Sequence, residues 1–284
     1  MDFYKQIETD VLLRNNSPVA DFENLSPTNF HHILYNNYSE NSPVYFQKNI
    51  SDDTLDQVSL FRVAEDLIKI IEREKLIKLT PLGALPRKVM VELYDKKYVY
   101  DYFIESGITT LTREQDCIAI LSARLVTEIA GITKKANGKL TLTKKGATFL
   151  KTEKRQDFFK LFITTFADKF NWGFNDGYPQ KPIGQFGWTF TIYLLGKFEK
   201  DYQLDSFYSK KYLTALPDLL KHFTQESYSS IENQFERCYS VRTFDRFLVW
   251  FGLVEIKENE KNFITQGKNI KATENLRSVF KIDI

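Results

Sequence analysis

The sequence predicts a mostly α fold with short β-hairpins, on three observations. Apolar residues recur at helical spacing, beginning with residues 56–75. Two short hairpin-like stretches each follow a helix that closes on a glycine. Of the 284 residues, 43% are apolar, with 24 Phe and 15 Tyr, ample material for a packed core. Helix, glycine, hairpin is the order of a winged helix. The expected architecture is therefore two winged-helix-like units joined by additional helices. Residues 1–55 form an irregular aromatic lead-in packed on the body, 56–170 the first unit, 171–187 a linker, and 188–284 a helical region with the second unit.

The elements follow in order. Asn15-Asn16-Ser17-Pro18 and Ser26-Pro27 are turn signals, and the interspersed Phe22, Phe30, Ile33 and Leu34 argue against a disordered tail. Leu60, Val63, Ala64, Leu67, Ile68 and Ile71 mark one face of a helix over 56–75, followed by a strand at 76–80. Pro86 opens a helix over 86–95, and Gly107 closes another over 97–106. Thr112-Arg113-Glu114-Gln115 reads as a capping box, with Ile118, Leu121, Leu125 and Ile129 as the apolar face of the helix it starts.

The strongest local signal comes next. Residues 132–136 and 139–143 read as strands around Asn137-Gly138, a pair suited to a tight hairpin turn because both residues tolerate positive φ. Helices are expected at 156–170, 188–201, 207–224 and 229–239, the last opened by Ser229-Ser230-Ile231-Glu232. A helix over Arg242–Phe251 then ends at Gly252, and Leu253–Ile256 with Asn262–Thr265 form a second hairpin. Aligning Ala130-Gly131-Ile132-Thr133 with Phe251-Gly252-Leu253-Val254 puts both hairpins in register. The glycine-, proline- and aromatic-rich 171–187 is the natural boundary.

Leu79-Thr80-Pro81-Leu82-Gly83-Ala84-Leu85-Pro86-Arg87-Lys88, ending in Glu92-Leu93-Tyr94, resembles a family of uncharacterised bacterial proteins with the pattern L-T-x-x-G-x-L-P-x-K-x-x-x-E-L-Y. The likeness covers roughly 60–155, including Leu140-Thr141-Leu142-Thr143-Lys144-Lys145-Gly146. Some members carry a C-terminal SEC-C zinc motif, for which this chain lacks the cysteines and the histidine. The resemblance implies architecture and carries no activity.

Composition excludes several classes. Cys117 and Cys238 are 121 residues apart and belong to no C-x-x-C pair, too few for a disulfide scaffold, so a reducing, cytoplasmic setting is expected. The first residues do not resemble a signal peptide, and no apolar run approaches the roughly 20 residues of a membrane helix. No G-x-S-x-G elbow, P-loop or H-E-x-x-H pattern occurs, and His31-His32 and His222 lack ligand spacing. No metal, cofactor or catalytic residue is expected. Cys117 falls in a helix's first turn, where the dipole lowers a thiol pKa, but a small apolar core residue is the preferred reading.

Charge is unevenly distributed. Residues 1–73 hold 6 Lys/Arg against 12 Asp/Glu, a net −6; residues 74–160 hold 17 against 10, a net +7. Lys134, Lys135, Lys139, Lys144, Lys145, Lys151, Lys154 and Arg155 fall within 22 residues at the first hairpin. A winged helix contacts phosphates with such a hairpin while the preceding helix enters the major groove. The first expectation is a non-enzymatic nucleic-acid-binding or regulatory protein. Lys134, Lys135, Lys139, Lys144 and Lys145 would meet phosphates of duplex DNA, with base readout from Arg113 and Arg124. Arg242 and Arg246 are the second unit's counterparts. Glu114, Asp116 and Glu128 oppose this reading. The alternatives are a scaffold binding a protein or forming a homodimer, and an enzyme whose ligand loop carries Trp172, Tyr178 and Trp188. No membrane partner is expected.

Overall fold

Ser26-Pro27, taken above as a turn, starts a helix. The Ser26 hydroxyl accepts the Asn29 N–H, and proline occupies the first helical position, where its missing N–H costs nothing. In the computed structural model, which describes residues 3–179, 182–257 and 267–284, the lead-in is thus regular. It forms α1 (Phe3–Asn16), α2 (Pro27–Tyr35) and β1 (Val44–Phe46). No residue of α1 is buried.

The chain divides into two compact units. A middle unit comprises Asn49–Asn171 with Trp250–Gly252; an outer unit comprises Met1–Lys48, Trp172–Val249 and Leu253–Ile284. The lead-in therefore groups with the C-terminal half of the chain, across the boundary at 171.

The middle unit runs α3 (Asp52–Asp56), α4 (Ser59–Glu74), β2 (Ile77–Lys78), α5 (Arg87–Tyr94), α6 (Tyr102–Glu105), α7 (Ile118–Ile129), β3 (Thr133–Ala136), β4 (Lys139–Leu142), α8 (Lys144–Thr148) and α9 (Arg155–Asp168). All six apolar positions read for α4 are buried. The helix expected at 97–106 shrinks to one turn, because Lys97 takes positive φ and Asp101 caps only from Tyr102 onward. Gly107 does close it, donating to the Ile104 carbonyl.

Two readings around α7 are corrected. Thr112 does not cap it: the Asp116 carboxylate accepts from the backbone N–H groups of Thr112 and Arg113, at 3.0 and 2.7 Å, in a separate short turn. The expected core face is also displaced. Leu121 is buried, but Ile118 and Leu125 are half-buried and Ile129 is exposed, while Ser122, Arg124 and Thr127 are buried. Apolar spacing misreads the face because hydrogen-bonded partners make the burial of Arg124 and Thr127 tolerable.

The outer unit continues with α10 (Trp188–Lys197), β5 (Gln203–Leu204), α11 (Asp205–Ala215), α12 (Ile231–Ser240), β6 (Val254–Lys257), β7 (Asn269–Ala272), α13 (Glu274–Val279) and β8 (Phe280–Ile282). Its helices are shorter than read at 188–201 and 207–224. Ser230, one residue later than expected, caps α12 by accepting the Asn233 N–H. The separate helix expected over Arg242–Phe251 is instead a π-helical continuation of α12 through Val241–Leu248. The strand expected at Asn262–Thr265 lies outside the described residues; the strand that pairs with β6 is β7.

Sheet topology repeats between the units. One sheet has the order β2-β4-β3, the other β5-β7-β6, so in each a short strand earlier in the chain pairs with the return strand of the later hairpin. Local bonding repeats too. Ile132 N donates to Thr127 O and Leu253 N to Leu248 O, both at 2.9 Å; Thr143 N donates to Ile132 O and Thr273 N to Leu253 O. These are the bonds an alignment of Gly131-Ile132 with Gly252-Leu253 requires. A third, two-stranded sheet pairs β1 with β8.

Candidate nucleic-acid interface

The first hairpin turns at Asn137 and Gly138, with φ of 51° and 68°, as the Asn-Gly pair demands. Strand alternation then sorts its lysines. Ile77 lies opposite Leu140, and both are buried on the core face. Lys78 lies directly opposite Lys139 on the other face, and Lys134, opposite Thr141, shares that face diagonally. Lys78, Lys134, Lys139 and Lys144 are exposed, and none makes an ion pair among the described residues. Like charges directly opposite each other are unfavourable in a sheet. The face is thus an uncompensated cationic surface.

The other two hairpin lysines are engaged locally. Lys135 donates to the Gly83 carbonyl at 3.0 Å. Lys145 donates to the Ala130 carbonyl at 3.1 Å, where a cation complements the C-terminal dipole of α7. Beyond the hairpin, Lys154 pairs with Asp157, and Arg155 bonds Asp52, Asp56 and Glu65. Sequence reading missed Lys78, whose place beside Lys139 depends on the pairing of β2 with the distant β4.

The arginines expected to read bases are not free to do so. Arg124 is buried, donating through Nε and Nη2 to the buried Glu114 carboxylate at 2.5 and 3.0 Å and through Nη1 to Glu128. Arg113 is exposed but its guanidinium bonds Asp116. The side chains of Arg242 and Asp176 are both 0% exposed and form an ion pair at 2.5 Å, with Arg242 also donating to the Pro179 carbonyl. Arg246 donates to the carbonyls of Phe174 and Asn175. Arg242 and Arg246 therefore clamp the 172–179 loop.

The second hairpin's sheet is charge-compensated. Glu255 lies opposite Lys271, the Tyr202 hydroxyl donates to Glu255, and Lys257 and Lys271 approach the Tyr202 ring at 4.2 and 5.5 Å.

The aromatic loop is chiefly structural. Trp172 and Trp188 are buried against Phe247, with ring centroids 4.7 and 5.5 Å away, and the half-buried Tyr178 lines a pocket. Both cysteines are free and buried; burial pushes the Cys117 thiol up to about 11 and the Cys238 thiol up to about 12, which makes poor nucleophiles. Among the described residues no group of three or more His, Cys, Asp or Glu is placed to hold a metal. None of their helices is long and apolar enough to cross a membrane. No protein-family model, curated protein or solved structure matches the chain.

Proposed function

We propose that the middle unit is a winged-helix-type module that binds the phosphate backbone of duplex DNA without reading sequence. The observation that carries this reading is the sheet face bearing Lys78, Lys134 and Lys139, none of which makes an ion pair among the described residues, with the exposed Lys144 following in the chain. Polyanions relieve such repulsion by replacing it with phosphate contacts and counterion release. Arg124 and its helix are occupied in the core, so selectivity among sequences is expected to be small. Two buried free thiols suit a reducing compartment, and we place the protein in the cytoplasm.

Fluorescence anisotropy with two unrelated duplexes tests this. Both should bind with similar affinity, and log K should fall with log salt at a slope of about −2.7 to −3.6, as three to four phosphate contacts require. The triple charge reversal Lys78→Glu, Lys134→Glu, Lys139→Glu should abolish binding while leaving the far-UV circular dichroism spectrum unchanged. Equal binding by wild type and variant would overturn the proposal.

A second reading rests on a separate surface. Tyr100, Tyr102, Phe103 and Ile108 are 75%, 61%, 57% and 67% exposed within nine residues around α6. An exposed apolar cluster of this kind suits a protein contact, including one with a second copy of the chain. Sedimentation equilibrium should then give a dimer, and Phe103→Lys a monomer; a monomeric wild type would remove homodimerisation.

A further inference from the structure

Besides the lysine face, one polar cavity stands out. In the outer unit a pocket of about 500 Å³ is lined by Tyr178, Pro179, His222, Tyr228, Gln234 and Arg237, together with Glu226. That volume falls within the range of small-molecule sites.

Its walls are held in place. On one side, the buried Arg242–Asp176 pair fixes the loop: Tyr178 N donates to Asp176 Oδ1 at 2.9 Å, and Arg242 donates to the Pro179 carbonyl at 2.9 Å. On the other, Gln234 of α12 donates to the carbonyls of Thr224 and Ser229, and Glu226 and Ser229 form an isolated antiparallel bridge. The turn carrying Glu226 and Tyr228 is thereby tied to the helix that carries Arg237. The backbone of both walls is thus tied down before any ligand arrives, while the side chains of Tyr228 and Arg237 stay exposed, which limits the ordering cost of binding to those side chains.

The charges in this pocket are opposite but separate. Arg237 forms no ion pair among the described residues, although Glu226 lines the same cavity. The buried side chain of Asp176, on the loop that forms one wall, is taken by Arg242. A guanidinium offers a planar two-pronged donor for a carboxylate, and a carboxylate accepts from an ammonium group. A molecule bearing both groups satisfies both walls; a simple anion meets Glu226, and a simple cation meets Arg237.

We propose that this pocket binds a small zwitterion, an amino acid or dipeptide. Its carboxylate lies on Arg237, its protonated amine on Glu226, and an aromatic side chain lies along Tyr178 and Tyr228. The proposal is independent of DNA binding, which lies in the middle unit.

The test is an NMR titration of the full ¹⁵N-labelled chain with L-phenylalanine and glycyl-L-phenylalanine. N-acetyl-L-phenylalanine, which lacks the amine charge, and L-phenylalanine amide, which lacks the carboxylate, serve as comparisons. Shifts should cluster at Gly177, Tyr178, Gln234 and Arg237. The zwitterions should bind about tenfold or more tightly than either blocked derivative. Arg237→Gln should remove the preference over the amide, and Glu226→Gln the preference over the N-acetyl compound. Each variant therefore erases one half of the discrimination, a pattern that a folding defect cannot imitate. Absence of shifts with either zwitterion at 20 mM, equal binding of the blocked derivatives, or unchanged selectivity in both variants would overturn the proposal.

Discussion

Asp176→Ala is expected to destabilise the protein by about 3–5 kcal/mol, because it removes the buried carboxylate that pairs with the buried guanidinium of Arg242. Both side chains are fully buried, and Asp176 accepts from Arg242 Nε at 2.5 Å and from Nη2 at 3.2 Å. The bond to the Pro179 carbonyl satisfies a donor but supplies no charge. The loss should appear in urea unfolding at neutral pH as a lower transition midpoint. Removing both charges in Asp176→Ala, Arg242→Met should restore much of the lost stability, since an apolar pair of similar volume avoids the desolvation that an orphaned ion cannot. A single-mutant loss below about 1 kcal/mol would mean that water reaches Arg242 once Asp176 is gone.

Gly146→Ala is the second large effect, and its cause is backbone proximity. A Cβ at Gly146 would stand 2.0 Å from the Ile132 carbonyl oxygen and 2.9 Å from its carbon. That carbonyl cannot withdraw freely, because it accepts the Thr143 N–H at 3.0 Å and the Thr143 hydroxyl at 3.1 Å. The hydroxyl also accepts the Gly146 N–H at 2.9 Å, so one threonine stitches the end of β4 to both the start of α8 and the start of β3. Accommodating the methyl group means displacing this junction, at a cost of about 3 kcal/mol, the upper end of ordinary overpacking. Lys145→Ala, at the exposed neighbouring position, should lose no more than about 1 kcal/mol. Paired thermal unfolding of the two variants checks the contrast. The L-T-x-x-G stretch thus has a steric reason: threonine supplies the bonds, and glycine the space.

Much of the local fold was legible because local spacing carries it. Helix α4 was found from apolar residues that are all buried, and the hairpin at Asn137-Gly138 from two residues that accept positive φ. The lead-in was harder. Its helix α2 has a capping serine and a first-turn proline, which also read as a turn when no long apolar run follows. In α7, buried polar groups defeated the amphipathic pattern. Arg124 and Thr127 sit inside because Glu114, Glu128 and Thr133 supply their hydrogen-bond partners.

The lysine-rich hairpin shows where sequence stops and tertiary structure takes over. By itself the sequence determined that a basic hairpin follows a helix and turns at Asn137-Gly138, since turn chemistry depends on neighbouring residues. Which cations remain available was decided only by folding. Pairing of β2 with β4 brought Lys78 opposite Lys139, while Lys135 and Lys145 were tied to nearby carbonyls. Distant carboxylates drew Arg124 and Arg242 into the interior. A charge is identified by its residue, but whether it is free depends on the partners the fold brings within hydrogen-bonding distance.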